Sequence, residues 1–177
     1  MRAVADTTMV IPAGRWRVDG TGSEVAFSLK HLLVLPVRGR FTDFEGSLAV
    51  EPDGGAVASG SVRVASVDTG DAKRDERLCD ADFFDAQRHP LIRLRNGRAR
   101  PLGGSRLRVT GELEIRGVAR EVELTARAGE ITAERAELTL QGDLSRAAFG
   151  IESEQLLDNG ISDRVDVTLK LTLLRSR

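Results

Sequence analysis

Three residues of this 177-residue chain carry side chains that titrate or attack near neutral pH: His31, His89 and Cys79. Their settings argue against catalysis. Cys79 has no histidine near it in sequence, so a thiolate nucleophile lacks a base. It is also the sole cysteine, which excludes an internal disulfide and a cysteine-built zinc site. Two histidines do not make a histidine-rich metal centre, and no metal is expected. His89 precedes Pro90, which imposes an extended backbone and suits a surface loop. His31 ends an apolar run just before Leu32. It could donate to a ligand head group or be a structural histidine tied to nearby backbone, and the second role is the commoner one. Ser145 precedes Arg146 without a Gly-x-Ser-x-Gly elbow, so hydrolase chemistry has no support. Arg74 and Asp75 could pair with Arg38 or Asp82 and clamp a loop, an arrangement worth little when exposed.

What the chain does carry is greasy alternation. Leu107, Val109, Gly111, Leu113 and Ile115 alternate with Arg108, Thr110, Glu112 and Glu114. Val165, Val167, Leu169, Leu171 and Leu173 alternate with Asp166, Thr168, Lys170 and Thr172. Successive strand side chains point to opposite faces, so each run has one dry face and one wet face. Val25, Phe27 and Leu29 repeat the pattern, as do shorter runs at 16–18, 48–50, 62–64, 92–94, 122–126 and 138–140. Glycine-bearing pairs punctuate these runs at Gly54-Gly55, Asn96-Gly97, Gly103-Gly104, Arg116-Gly117, Ala128-Gly129 and Asn159-Gly160, each able to supply a tight turn. The reading is all-β: about eight strands closing into an antiparallel barrel, with a short helical or loop insertion around 69–90 in which Phe83-Phe84 dock the segment back. Insertions of that size often act as a lid or plug.

Composition narrows the function. Lys plus Arg number 26 against 27 Asp plus Glu, a net charge of −1, which is unlike a non-specific nucleic-acid binder. No run of eighteen apolar residues is present, so no helical membrane span is expected. Met1–Ala13 is broken by Asp6, Thr7 and Thr8. It reads as a short, mobile leader before a single domain over 14–177, which makes the cytoplasm the default compartment. Aromatic residues are scarce, with six Phe, one Trp and no Tyr. An eight-stranded barrel lined by Val, Leu and Ile is either a packed core or an elongated apolar pocket for one ligand.

Several separated motifs resemble the YceI-like, polyisoprenoid-binding proteins. They are Trp16-Arg17-Val18-Asp19, the stretches 23–32 and 37–46, Ser66-Val67-Asp68-Thr69, Arg74-Asp75 with Leu78, Asp82-Phe83-Phe84-Asp85, the stretch 111–118, and Arg146, Phe149-Gly150 and Ile161-Ser162-Asp163. The resemblance runs from about Gly14 to Leu174. Arg77 departs from it, standing where the family usually has histidine, and His89-Pro90 sits where an aromatic-Pro is usual. Many members carry a secretion signal and act in the periplasm; here Arg2 is basic, but the broken apolar stretch of Met1–Ala13 does not read as such a signal.

The resemblance implies a lipocalin-like barrel that binds a long isoprenoid, such as a polyprenyl quinone or polyprenyl alcohol, for storage or transport, with no cofactor besides that ligand. Such a ligand needs no polar contact: about forty carbons at about 0.3 kcal/mol per heavy atom reach about 12 kcal/mol, a nanomolar affinity. Alternation alone nominates Val25, Leu29, Leu107, Val109, Leu113, Val165, Val167 and Leu169 as lining. Phe27 and His31 join them at the same strand, and the resemblance adds Phe41, Phe44 and Phe84. Two other readings stand beside this one. One is an enzyme on an amphipathic lipid using His31, Arg38 or Asp75; the other is a structural or partner-binding domain with a filled core. A barrel with open edges, together with the resemblance, makes a homodimer plausible.

Overall fold

The computed structural model describes residues 10–31, 35–152 and 160–177. Eleven strands are described along the chain: β1 (Gly14–Val18), β2 (Glu24–His31), β3 (Leu35–Phe41), β4 (Phe44–Val50), β5 (Ala56–Arg63), β6 (Val67–Asp68), β7 (Leu91–Gly103), β8 (Arg106–Ile115), β9 (Val118–Ile131), β10 (Arg135–Ser145) and β11 (Arg164–Arg175). A two-turn helix, α1 (Ala72–Leu78), lies between β6 and β7.

Eight of these strands close a ring. The antiparallel order is β1-β4-β5-β7-β8-β9-β10-β11, and β11 returns to β1. The other three form a branch, β2-β3-β6, that leaves the ring from β11. The expected eight-stranded antiparallel barrel is therefore present, with a side sheet in addition. The fork lies on β11. Its first part, Asp166–Lys170, pairs with β2, and its last part, Leu173–Arg175, pairs with β1 on the same edge. Thr172, buried between them, is satisfied by the connecting loop. Its N–H donates to Ser23 Oγ (2.9 Å), its hydroxyl to the Gly22 carbonyl (3.0 Å), and its carbonyl accepts from Asp19 N–H (2.8 Å). A buried backbone group needs a partner wherever a ladder is interrupted, and a loop hydroxyl supplies it here.

Arg116-Gly117 makes the expected tight hairpin between β8 and β9, with φ of 54° and 72°. Asn96-Gly97 does not turn. It lies inside β7 as a bulge, Asn96 at φ 53°, where the register with both β5 and β8 slips. A left-handed residue suits a bulge as well as a turn. Here glycine is needed because a Cβ on Gly97 would lie 2.8 Å from the Ala58 carbonyl. Ala128-Gly129 likewise falls inside β9, beside a register shift against β10. Asn159 lies outside the described residues. Val64 is not in a strand; it opens a 3-10 turn, Val64–Ser66, fully buried.

One end of the barrel is plugged. Trp16, 1% exposed, packs with Ile11, Leu48, Val50, Ala136 and Leu173, and its indole N–H donates to the Pro12 carbonyl (3.0 Å). The last residues of the expected leader thus join the core, while residues 1–9 lie outside the described residues. A second layer, Val109, Ala126 and Leu140, with Leu107 beside it, forms a floor above the plug.

Candidate functional site

Above that floor the barrel is hollow. A cavity of about 700 Å3 runs to the end where β7 begins and β10 ends. Its wall is built from inward positions of eight strands, six of the ring and two of the branch: Val25, Phe27 and Leu29 of β2, Phe41 of β3, Val62 of β5, Ile92 and Leu94 of β7, Leu113 and Ile115 of β8, Val122 and Leu124 of β9, Leu144 of β10, and Val165, Val167 and Leu169 of β11. The structure is not a filled core. Small residues create the space. Gly142 lies opposite Val167, and the Leu124 side chain occupies the volume a Cβ there would need. Gly39 lies opposite Phe27, whose ring covers it, so the ring can lie flat along the wall.

Of the thirteen residues nominated from sequence, nine line this cavity: Val25, Phe27, Leu29, Phe41, Phe84, Leu113, Val165, Val167 and Leu169. Leu107 and Val109 do not. They lie lower on β8 and pack into the floor against Ala126 and Leu140. Phe44 is also off the wall, half-buried at the start of β4 opposite Val62. His31 ends β2 with its backbone paired to Leu35; its side chain lies outside what is described.

The segment 69–90 caps the open end. Asp71 caps α1, accepting from Lys73 N–H (3.0 Å) and Arg74 N–H (3.2 Å). The Thr69 hydroxyl donates to Asp75 (2.6 Å) and accepts from Arg74 Nε (2.9 Å), while Arg74 Nη2 reaches the Thr69 carbonyl (3.1 Å). Arg74 and Asp75 therefore latch the helix onto its own entry loop. No ion pair joins them to Arg38 or Asp82 among the described residues. Phe84 packs edge-on to Phe41 (centroids 6.0 Å apart), which in turn meets Phe27 (5.5 Å). That aromatic row docks the segment onto β2 and β3, as Phe83-Phe84 led one to expect.

Two arginines stitch the rim. The Arg146 guanidinium donates to the carbonyls of Ser162 (2.8 Å), Ile151 (2.8 Å) and Ile161 (3.1 Å). Arg116 bridges the Ala81 and Gly150 carbonyls, at 2.7 Å each. Asp163 accepts from Ala147 N–H (2.9 Å) and Ser145 Oγ (2.7 Å), and these bonds hold its carboxyl below the usual aspartate range. Sequence reading assigned none of these roles, although Arg146 and Asp163 were among the motif residues.

Among the described residues, catalytic groups are not gathered here. Asp75 is engaged with Thr69, Arg38 is exposed and off the cavity wall, and burial pushes the Cys79 thiol up, with Asp80 and Asp75 adding to the effect. Among the described residues no cluster of His, Cys, Asp or Glu is placed to hold a metal ion, and no helix is long and apolar enough to cross a membrane.

The YceI-like domain matches residues 16–173, nearly the whole chain. The chain belongs to this family. A UPF0312 protein of Azotobacter vinelandii is 31% identical over 112 residues, covering 62% of this chain and 58% of the relative. One from Vibrio cholerae is 28% identical over 130 residues, covering 71% and 69%. The chain thus spans little more than half the length of the first of these. Among solved structures, Burkholderia cenocepacia BcnA superposes with a TM-score of 0.78 at 25% identity, over 88% of this chain and 98% of that one. A polyisoprenoid binding domain from Saccharophagus degradans superposes at 0.72 with 19% identity, over 91% and 98%, a likeness of fold.

Proposed function

We propose that this YceI-like protein binds a long-chain isoprenoid lipid, of the polyprenyl quinone or polyprenyl alcohol type, tail-first in the barrel, and stores or transports it without chemical change. One observation carries the reading: an aliphatic cavity of about 700 Å3, floored at one end and open at the other. A soluble domain does not leave such a surface uncovered without cause, because burying apolar area is worth about 25 cal/mol per Å2. The size suits a small ligand site. At about 30 Å3 per water-sized group, the cavity takes about 23 of them, or about four isoprene units. A longer tail would extend past α1. Branched walls of Val, Leu and Ile match a methyl-branched tail by shape, and the gain is non-directional. The Saccharophagus relative, described as polyisoprenoid binding, has the same fold. That description of a fold neighbour is the support for isoprenoid over other lipids.

The test is organic extraction of the purified protein with mass spectrometry, together with binding of added polyprenyl quinone. Recovery of a prenyl lipid, or saturable binding of the added one, is the expected result. No lipid and no binding would overturn the reading.

A further inference from the structure

We propose that the outer wall at the closed end of the barrel docks onto an anionic lipid bilayer through five arginines: Arg98 and Arg100 of β7, Arg106 and Arg108 of β8, and Arg127 of β9. This surface lies outside the cavity and does not depend on what the cavity holds.

The charge pattern reverses along one ladder. Toward the mouth, arginines of β7 lie opposite carboxylates of β8, Arg93 opposite Glu114 and Arg95 opposite Glu112, and Arg95 reaches Glu114 (3.8 Å). Past the bulge, the same ladder sets Arg100 opposite Arg108, and the next one sets Arg106 opposite Arg127. Like charges directly opposite destabilise a sheet, so these two pairs favour a counter-charge from outside the chain. All five side chains are exposed and alternate with the floor residues Ala99, Leu107, Val109 and Ala126. Three strands about 4.8 Å apart put them in a patch about 10 Å wide. Glu123 pairs with Arg108 (3.2 Å). Among the described residues, Arg98, Arg100, Arg106 and Arg127 make no hydrogen bond or ion pair, and none of Glu51, Asp53 and Glu130 at the same end is bonded to the patch. Ile151 and Ile161 pack at the mouth, so the acidic residues between them, Glu152, Glu154 and Asp158, join the chain at the far end of these strands. Residues 1–9 carry Arg2 and Asp6, which add no net side-chain charge.

Apolar side chains stand among the arginines. Val57, 44% exposed, lies opposite Arg98 on β5, and Leu102, 40% exposed, borders a surface hollow with Arg106 and Arg127 at the β7–β8 hairpin. An anionic bilayer satisfies both kinds of group, with charge at its head groups and apolar contact at the acyl boundary. Single-stranded nucleic acid is held by aromatic stacking, and β5, β7, β8 and β9 contain no aromatic residue. Because β7 starts at the mouth and ends in this patch, a barrel docked here keeps its mouth clear of the bilayer.

The test is co-sedimentation of the full chain with vesicles of phosphatidylcholine alone and of equal parts phosphatidylcholine and phosphatidylglycerol. Wild type should bind the anionic vesicles at low salt, release them as salt is raised, and leave the neutral ones unbound. The Arg100→Gln, Arg106→Gln double variant should bind the anionic vesicles about tenfold or more weakly. Its Tm should stay level or rise, because it dissolves both like-charge pairs, so a loss of binding is not a loss of fold. Arg93→Gln with Arg95→Gln, on the mouth half of the same strand, should bind as wild type does. Leu102→Ser should weaken binding and leave its salt dependence in place. Val167→Trp, which alters the cavity, should dock unchanged; loss of docking there would mean the vesicle lipid is drawn into the cavity, against the proposal. No binding to anionic vesicles, equal binding to neutral ones, or a double variant that binds like wild type would overturn it and leave the cavity reading untouched. Binding of a duplex oligonucleotide but not of vesicles would also overturn it and assign the patch to nucleic acid.

Discussion

Replacing Val167 with tryptophan asks whether the cavity is where the tail sits. Val167 lies in the wall opposite Phe27 on one side and Gly142 on the other, where there is room for a larger side chain to enter the void. If about 23 ligand groups fit and each contributes about 0.3 kcal/mol, a filled cavity gives about 7 kcal/mol, a Kd of about 10 µM. That is far weaker than the nanomolar figure for a forty-carbon tail, because the barrel encloses only part of such a chain. Tryptophan adds about seven heavy atoms over valine; at the same contribution per atom it displaces about 2 kcal/mol of ligand contact, about thirtyfold in Kd. Calorimetric titration with geranylgeraniol reads the affinity directly. Thermal unfolding checks it: at ten times Kd the ligand adds about 1.4 kcal/mol to wild type, or about 3–6 °C in Tm. Val167→Trp should lose most of that shift at the same ligand concentration while its ligand-free Tm stays level or rises, since the new side chain fills empty space. A control at the floor separates the two ends of the barrel. Val109→Ala should lower the ligand-free Tm yet keep the ligand-induced shift. If Val167→Trp folds and binds the alcohol like wild type, the tail does not occupy this cavity and the reasoning fails.

Three further outcomes follow from the packing. Gly39→Ala puts a Cβ into the Phe27 ring, so it should cost about 1–3 kcal/mol in denaturant unfolding and weaken lipid binding as the ring turns into the cavity. Trp16→Ala empties the plug and should cost about 3–5 kcal/mol while leaving lipid binding intact, provided the assay temperature is kept below the lowered Tm. Asp163→Ala removes the acceptor for Ala147 N–H and Ser145 Oγ, at a cost of about 1 kcal/mol, as for a lost helix cap. Because the native carboxyl titrates below its unfolded value, its contribution is complete above about pH 3.9 and is lost as pH falls through the native pKa. The gap in stability between wild type and Asp163→Ala should therefore be wide at pH 6 and close in acid; a constant gap would mean the carboxylate charge is not what matters.

The all-β class was legible because period two is a local property. On β8 and β11 every second residue is apolar, and no other regular structure puts those residues on one face. The Arg116-Gly117 hairpin was legible for a similar reason, since two adjacent positive φ values join strands without splaying them. Asn96-Gly97 shows the limit of that logic. The same backbone freedom serves a bulge, and only the nearness of Ala58 and Gly111 makes it one here. The cavity shows it again. Val109 and Leu113 share a strand and a face, yet one is floor and the other is wall. Alternation reports which way a side chain points and is silent on what it meets.

The sequence by itself determined which faces are dry, where the non-strand segment falls, and that no cluster of catalytic type is spelled out locally. The tertiary structure alone decided that the ring closes over space instead of side chains. That outcome depends on where Trp16 plugs the barrel, on β11 forking between β1 and β2, and on Gly39 and Gly142 lying opposite Phe27 and Val167. It also decided that α1, a short charged helix, stands at the mouth of the cavity. Burial preference is written residue by residue, but a void is a property of how distant strands meet, and no single stretch of chain encodes it.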